Sequence, residues 1–287
     1  MADKGSQTVA IDDQGKPQGF LDLVDELRTI TFGIVEEGIG LITLNRPDKL
    51  NAFDERMIRE MRTVVWRANF DERIRVLMVT GAGRAFCAGR DISGLDYENN
   101  LTTPQYRAYV RANHEMFDDM ENLEKPIVAV VNGIAAGGGV EMAVAADFRI
   151  AGSNASFLLP ENQLGVLPAS GACSRMIQLI GIGRLKEMVM AALPVDAAEA
   201  HRIGLVNRVY PPEQLMDEAM AFARKLLTRA PQAMGVAKQI INSCQNVDTE
   251  TGRILERLGQ SILIQTQDNK EGMNAFLEKR KPAFKGL

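Results

Sequence analysis

Lys125-Pro-Ile-Val-Ala-Val-Val-Asn-Gly-Ile-Ala-Ala-Gly-Gly-Gly-Val-Glu-Met-Ala-Val-Ala-Ala-Asp147 is the stretch from which the fold can be read. Ile127–Val131 is a short run rich in β-branched residues, bounded by Pro126 and by Asn132-Gly133, and it predicts a buried strand. Gly137-Gly138-Gly139 follows, and then Val140–Ala146, apolar, Ala-rich and compatible with a helix. Glycines between a strand and a helix let the backbone turn sharply and leave its N–H groups uncovered. At a helix start those groups have no internal acceptor, and the dipole adds partial positive charge. Such a corner can hold a developing oxyanion, and Glu141 falls in the first helical turn beside it.

A second carboxylate lies downstream in Ser156-Phe-Leu-Leu-Pro-Glu161-Asn-Gln-Leu-Gly165-Val-Leu-Pro168. Phe157–Leu159 is ended by Pro160, which places Glu161 in a strand-to-helix connection. Acidic residues are favoured in a first helical turn on dipole grounds alone, so neither glutamate is decisive without the other.

Outward from these segments the chain alternates strand and helix. Thr29–Val35 and Ile39–Leu44 predict a hairpin around Glu36-Glu37-Gly38. Asp54–Asn69 carries Met57, Met61, Val64, Val65 and Ala68 on one helical face. Val76–Val79 and Phe148–Ile150 read as further buried strands, and the recurrence points to an α/β architecture with right-handed crossovers. Ser93–Tyr109 is polar and expected to be irregular, with a helix over Met116–Leu123. Cys173–Ile180 and Leu185–Met190 read as helices parted by Gly181-Ile-Gly183, Asp196–Ile203 as a helix closed by Gly204, and Leu205–Val209 as a late strand. From Pro211 onward only helical patterns remain: Pro212–Thr228, Gln232–Cys244, Thr249–Thr266 and Asp268–Lys279. The apolar stripe Ile254, Leu258, Ile262, Leu263 is expected in the core, with a subunit contact as the alternative. Residues 1–18 are polar and expected to be mobile; Phe20–Leu27 has helical spacing. The division expected is an extension at 1–28, an α/β core at 29–210 and an all-helical module at 211–287.

Composition narrows the function. A net charge of −4 disfavours a nonspecific nucleic-acid binder or an anionic-membrane protein. The cysteines, Cys87, Cys173 and Cys244, are far apart and form no CxxC pair, which argues against a disulfide framework or structural zinc and for a reducing compartment. Only His114 and His201 are available for a His-based metal site or triad. Gly81-Ala-Gly83 lacks the third glycine of a dinucleotide fingerprint, Phe86 standing in its place, and no phosphate-loop Gly-Lys-Ser/Thr occurs. With no signal-like or membrane-spanning apolar run, a soluble cytoplasmic protein is expected.

The pattern N-G-x-A-x-G-G-G-x-E followed by P-E-x-x-L-G-x-x-P resembles the enoyl-CoA hydratase (crotonase) superfamily. Gly40-Leu-Ile-Thr-Leu-Asn-Arg-Pro-Asp-Lys-Leu-Asn-Ala52, Arg84-Ala-Phe-Cys-Ala-Gly-Arg-Asp91 and the closing Glu271-Gly272…Ala275-Phe276-Leu277-Glu278-Lys279-Arg280 extend the likeness over residues 30–287. The resemblance implies a crotonase-like repeated ββα spiral core with a C-terminal helical module, assembled as trimers or as hexamers formed by a dimer of trimers. It implies an oxyanion hole from the backbone N–H groups of Arg90 and Gly138, with Glu141 activating water and Glu161 protonating the α-carbon of an enoyl-CoA. Coenzyme A is then part of the substrate, with no resident cofactor and no metal. Lys49, Ala88, Asp91, Ile92 and Lys279 are implied to line its path, Lys279 from a neighbouring subunit. The sequence departs from the common pattern at Arg90, where a small residue is usual and whose side chain is expected to crowd or charge the acyl pocket. It departs also at Asp48 and Ser93, often lysine, and at Ala169–Cys173, usually richer in glycine. An isomerase, a lyase or hydrolase acting on a CoA thioester, and a non-catalytic binding protein are the rival readings.

Overall fold

The computed structural model describes residues 26–93 and 100–287, together with the short strands β1 (Ala10–Ile11) and β2 (Pro17–Gln18). The helical spacing at Phe20–Leu27 falls almost wholly outside the described residues. β1 and β2 pair antiparallel, so part of the stretch expected to be mobile is a small ladder.

The hairpin is β3 (Ile30–Glu36) and β4 (Gly38–Leu44), turned at Gly38 with φ of 84°. Next come α1 (Glu55–Phe70), β5 (Ile74–Gly81), β6 (Ala85–Cys87) and α2 (Thr103–Asn122). β7 (Ile127–Val131), β8 (Ile134–Ala136) and α3 (Gly138–Ala145) repeat that order. So do β9 (Phe148–Gly152), β10 (Ser156–Leu158) and α4 (Ala172–Met190). β11 (Val195–Asp196), α5 (Ala197–Arg202) and β12 (Arg208–Tyr210) close the strand-bearing part. α6 (Leu215–Leu227), α7 (Pro231–Cys244), α8 (Thr249–Leu263) and α9 (Gln267–Leu277) complete the chain.

In the units β5-β6-α2, β7-β8-α3 and β9-β10-α4 the first strand joins a six-stranded sheet, ordered β12-β9-β7-β5-β4-β3, and the second joins a four-stranded sheet, ordered β11-β10-β8-β6; β3 and β4 both lie in the larger sheet. Within these two sheets all pairings are parallel except β3–β4 and β10–β11. The chain therefore spirals, changing sheet at a sharp corner once per unit. Asn132 braces that corner: its Oδ1 accepts from the Gly81 N–H at 3.1 Å and its Nδ2 donates to the Gly83 carbonyl at 2.9 Å.

The inner strands β4, β5 and β7 are mostly buried and apolar because both faces are covered, as parallel sheets require, whereas the edge strand β3 is largely exposed. Leu77 and Val79 pack with Met57, Met61 and Phe117 on one side; Val76 and Met78 pack with Leu215, Ala219 and Ala223 of α6 on the other. α1 begins at Asp54, whose carboxylate accepts from the Met57 N–H, and its expected face is buried as drawn. Buried Glu60 of the same helix accepts from the N–H groups of Arg28, Thr29 and Ile30, the Thr29 hydroxyl and Arg56 Nε at 2.6–3.1 Å. Burial raises its pKa, yet these bonds outweigh burial and hold the carboxyl below its ordinary value. A lowered folded value stabilises above the unfolded pKa and is lost as pH falls through the folded one. Glu60→Gln is expected to cost about 1–3 kcal/mol at pH 7, read from a urea midpoint, with the deficit shrinking as the medium is acidified.

Three expectations are corrected. Ser93–Tyr109 is not irregular to its end, since α2 starts at Thr103. Pro104 sits in the first turn, where proline is tolerated, Thr102 and Gln105 form a capping box, and the first turns are too exposed to show apolar periodicity. Ile254, Leu258 and Ile262 are exposed at 43%, 57% and 63%, so the stripe is not core within this chain. The late strand covers Arg208–Tyr210 rather than Leu205–Val209, because Leu205 and Val206 are buried in a turn after α5 instead. Gly181 (φ 76°, ψ 159°) parts α4 where expected. Among the described residues no helix is long and apolar enough to cross a membrane.

Candidate active site

β6, β8 and β10 run parallel in the small sheet, with Cys87 beside Ala135 and Ala136 beside Leu158. Their C-terminal ends therefore open on one edge, the usual place for a ligand in parallel sheets. Arg90 follows β6, Gly137-Gly138 follows β8 and Glu161 follows β10, and α3 carries Glu141 one turn beyond Gly138. Residues scattered along the chain thus meet because three strands share a direction.

Phe53 bridges to the Arg90 segment, donating to the Gly89 carbonyl and accepting from the Asp91 N–H, both at 2.8 Å. In that pattern the N–H of Arg90 itself points away from Phe53. A methyl group added at Gly89 would lie 3.1 Å from the Gly138 nitrogen, and one at Gly138 would lie 3.8 Å from the Arg90 nitrogen and 2.5 Å from the Phe53 ring. Side chains would thus fill the gap between the two amides. Gly137 caps α3 with φ of 52°, and its own N–H is held by the Leu158 carbonyl at 2.8 Å. Gly138 starts the helix, so its N–H has no intrahelical acceptor.

Glu141 is buried, with one oxygen accepting from the N–H groups of Ser170 at 2.6 Å and Ala172 at 3.1 Å. Burial raises its pKa, opposed by those amides and by the Arg175 charge. Glu161 opens a 3-10 turn, Glu161–Leu164, and its carboxylate lies against Gly137, where an added methyl would meet Oε1 at 2.9 Å. Its Oε2 is buried without a hydrogen-bond partner among the described residues. Burial, with the neighbouring Glu141 charge, pushes its pKa up to about 7. The two carboxyl groups, near enough for one charge to act on the other, are thereby held in different environments, a condition for separate acid and base roles.

The remaining expected residues divide. Lys49 is exposed at the end of the turn Pro47–Lys49, and the next residue, Leu50, accepts from the Ala88 N–H at 2.9 Å, which sets Lys49 beside the β6 exit. Asp91 binds Ser93 and Arg46, and these partners hold its pKa down to about 2. Its charge is thereby offset, and the Arg46–Asp54 loop is tied to the site. Ile92 is 64% exposed. Lys279 is exposed after α9, whose ties through Asp268 and Glu271 run to the closing residues 280–286 rather than to this edge. The Arg90 guanidinium binds the Tyr109 hydroxyl, lies 5.2 Å from that ring and 3.6 Å from Glu55, so its charge is already offset.

Sequence reasoning missed Phe53 and Arg175. A cation in the first turns of α4 runs against the helix dipole, and that local conflict was the available signal for Arg175. Phe53 had none. Among the described residues no His, Cys, Asp and Glu side chains group as a metal site requires.

A family model described as enoyl-CoA hydratase/isomerase matches residues 35–287. The chain is 38% identical over 250 residues to a crotonyl-CoA hydratase of Syntrophomonas wolfei, covering 87% of this chain and 95% of that protein. It is 39% identical to a short-chain-enoyl-CoA hydratase of Clostridium acetobutylicum, with 86% and 94% covered. The crystal structure of an enoyl-CoA hydratase from Bacillus anthracis superposes with a TM-score of 0.85 at 35% identity, covering 91% of this chain and all of the other.

Proposed function

Because the chain belongs to the enoyl-CoA hydratase/isomerase family, we propose that it adds water across the 2,3-double bond of an enoyl-CoA thioester. The observation that carries this reading is the pair Glu141 and Glu161, close enough to interact and held in unlike environments, with the main-chain nitrogens of Arg90 and Gly138 close to one another beside Glu161. The thioester oxygen would lie between the N–H groups of Arg90 and Gly138, each such donor worth about 3–4 kcal/mol of transition-state stabilisation. Ionised Glu141 takes a proton from water as its oxygen bonds to the β-carbon. The double-bond electrons move through the α-carbon onto the thioester oxygen, giving an enolate. The enolate collapses, and the α-carbon takes the proton of neutral Glu161. Exchange through solvent returns the proton from Glu141 to Glu161.

Coenzyme A arrives and leaves with the acyl group, so no resident cofactor is needed. Lys49 offers an exposed ammonium at the β6 exit for its phosphates, and Arg46 offsets the carboxylate of Asp91 that would otherwise repel them. The exposed apolar residues of α8, with Phe276 and Leu277 at 80% and 73%, support self-association as trimers or hexamers, and Lys279 would then serve a neighbouring copy.

Purified protein given crotonyl-CoA should consume the conjugated enoyl absorbance. The rate should fall as pH rises through about 7, where Glu161 loses the proton it must donate, and fall again in acid as Glu141 becomes protonated. Inactivity towards short, long, branched and cyclic enoyl-CoA alike would replace hydration by another thioester reaction, and failure to bind coenzyme A would favour a binding protein.

A further inference from the structure

Both amides that hold Glu141 come from one short turn, Ser170-Gly171-Ala172, and that turn is gripped from outside by Arg175. The Arg175 Nη1 donates to the Ser170 carbonyl at 3.0 Å, and its main-chain N–H donates to the Gly171 carbonyl at 2.8 Å. The guanidinium lies directly on Gly171, where an added methyl would stand 1.8 Å from Nη1, and Gly171 itself has φ of 115°. On its far side Arg175 reaches α2, donating from Nε and Nη2 to Glu121 at 2.9 and 2.7 Å and from Nη2 to Asp118 at 2.7 Å. The side chain is 13% exposed. α2, the turn and Glu141 therefore form one continuous chain of polar contacts.

We propose that Arg175 is a positioning residue for the hydration described above: it clamps the turn whose amides aim Glu141, and it supplies the positive charge behind that carboxylate. This rests on the reading of Glu141 as the group that activates water.

The charges around Glu141 support it. Glu161 and the Cys173 thiol interact with Glu141; burial and both carboxylates raise the thiol, which stays neutral. On the far side of Arg175 stand Asp118, Glu121 and His114, and burial lowers the His114 pKa, with Asp118 opposing and Arg175 adding to the fall. Arg175 is thus the cation that acts on Glu141 and opposes its burial. Asp118 and Glu121 are more exposed, at 54% and 33%, so water screens their opposing charge more strongly.

The test is the pH profile of crotonyl-CoA hydration by Arg175→Gln, Arg175→Lys and Glu121→Gln in the full chain. Removing the cation disfavours ionised Glu141, so the acidic limb of kcat/KM should move up by about one pH unit in Arg175→Gln, a loss that grows towards roughly tenfold on the acid side of the wild-type limb and disappears on its alkaline side. KM should change little. Arg175→Lys should keep the limb near wild type while lowering kcat, since charge remains and the fork is lost. Glu121→Gln, which leaves more of the Arg175 charge for Glu141, should move the limb down. Equal loss at every pH, or an unshifted limb in Glu121→Gln, would reduce Arg175 to a tie between helices. If Arg175→Gln does not fold, Glu121→Gln decides alone. A wild type without hydratase activity overturns the proposed function, whereas active wild type with unshifted variants overturns only the role of Arg175.

Discussion

Glu141→Gln and Glu161→Gln should each lower hydration turnover by about 10²- to 10⁴-fold, the range for losing a positioned acid or base, with the fold intact. Glutamine keeps the shape of either side chain. At position 141 its carbonyl can still accept from Ser170 and Ala172, but it cannot take a proton from water. At position 161 it cannot give one to the α-carbon. Stability should separate the two variants. The raised pKa of Glu161 means that the folded state binds its proton more tightly than the unfolded state. Ionising it costs stability progressively between about pH 4.5 and 7, and the whole cost is present above 7. Glu161→Gln removes that cost, so its melting temperature should exceed wild type at pH 8 and match it at pH 4.5. Steady-state rates and calorimetry at both pH values check this. Retention of more than a tenth of wild-type turnover by either variant would sink its assigned role.

Gly139→Ala should be the most damaging single methyl in the site. Its β-carbon would stand 2.0 Å from the Cys87 carbonyl oxygen and 2.8 Å from the carbonyl carbon. These are main-chain atoms of a buried strand, which no side-chain rotation can clear. α3 would have to draw back from β6, and these two elements carry Gly138 and lead into Arg90. Overpacking of this kind costs about 1–3 kcal/mol or more, and a displacement near 1 Å between catalytic groups can cost about 10²-fold in rate. Gly183→Ala is the control: an added methyl meets nothing within 4 Å, so a gain of roughly 0.5–1 kcal/mol in its helix is expected. Denaturant midpoints and kcat measured on both variants test the contrast. Equal stability of the two would mean that the close approach of α3 to β6 is not real.

Much of this fold was legible because the deciding signals are local. Ile127–Val131 announces a strand by composition, Asp54 and the spacing of Met57, Met61 and Val64 announce α1, and Gly181 announces the break in α4. The first turns of α2 were illegible for an equally local reason, since Pro104 reads as a breaker until its place in the first turn is known. The stripe on α8 shows that spacing reports amphipathicity and not what covers it: Leu258 has the periodicity of a core residue and lies exposed.

From the sequence alone come the strand and helix order, the glycine-lined corner and the two glutamates near helix starts. Those depend on neighbours within a few positions. Only the tertiary structure decided that alternate strands enter separate sheets, that Arg90 spends its charge on Glu55 and Tyr109, that Arg175 stands behind Glu141, and that Glu161 holds its proton up to about pH 7. Burial and electrostatic field at an atom depend on segments that arrive from distant parts of the chain, and no local pattern encodes them.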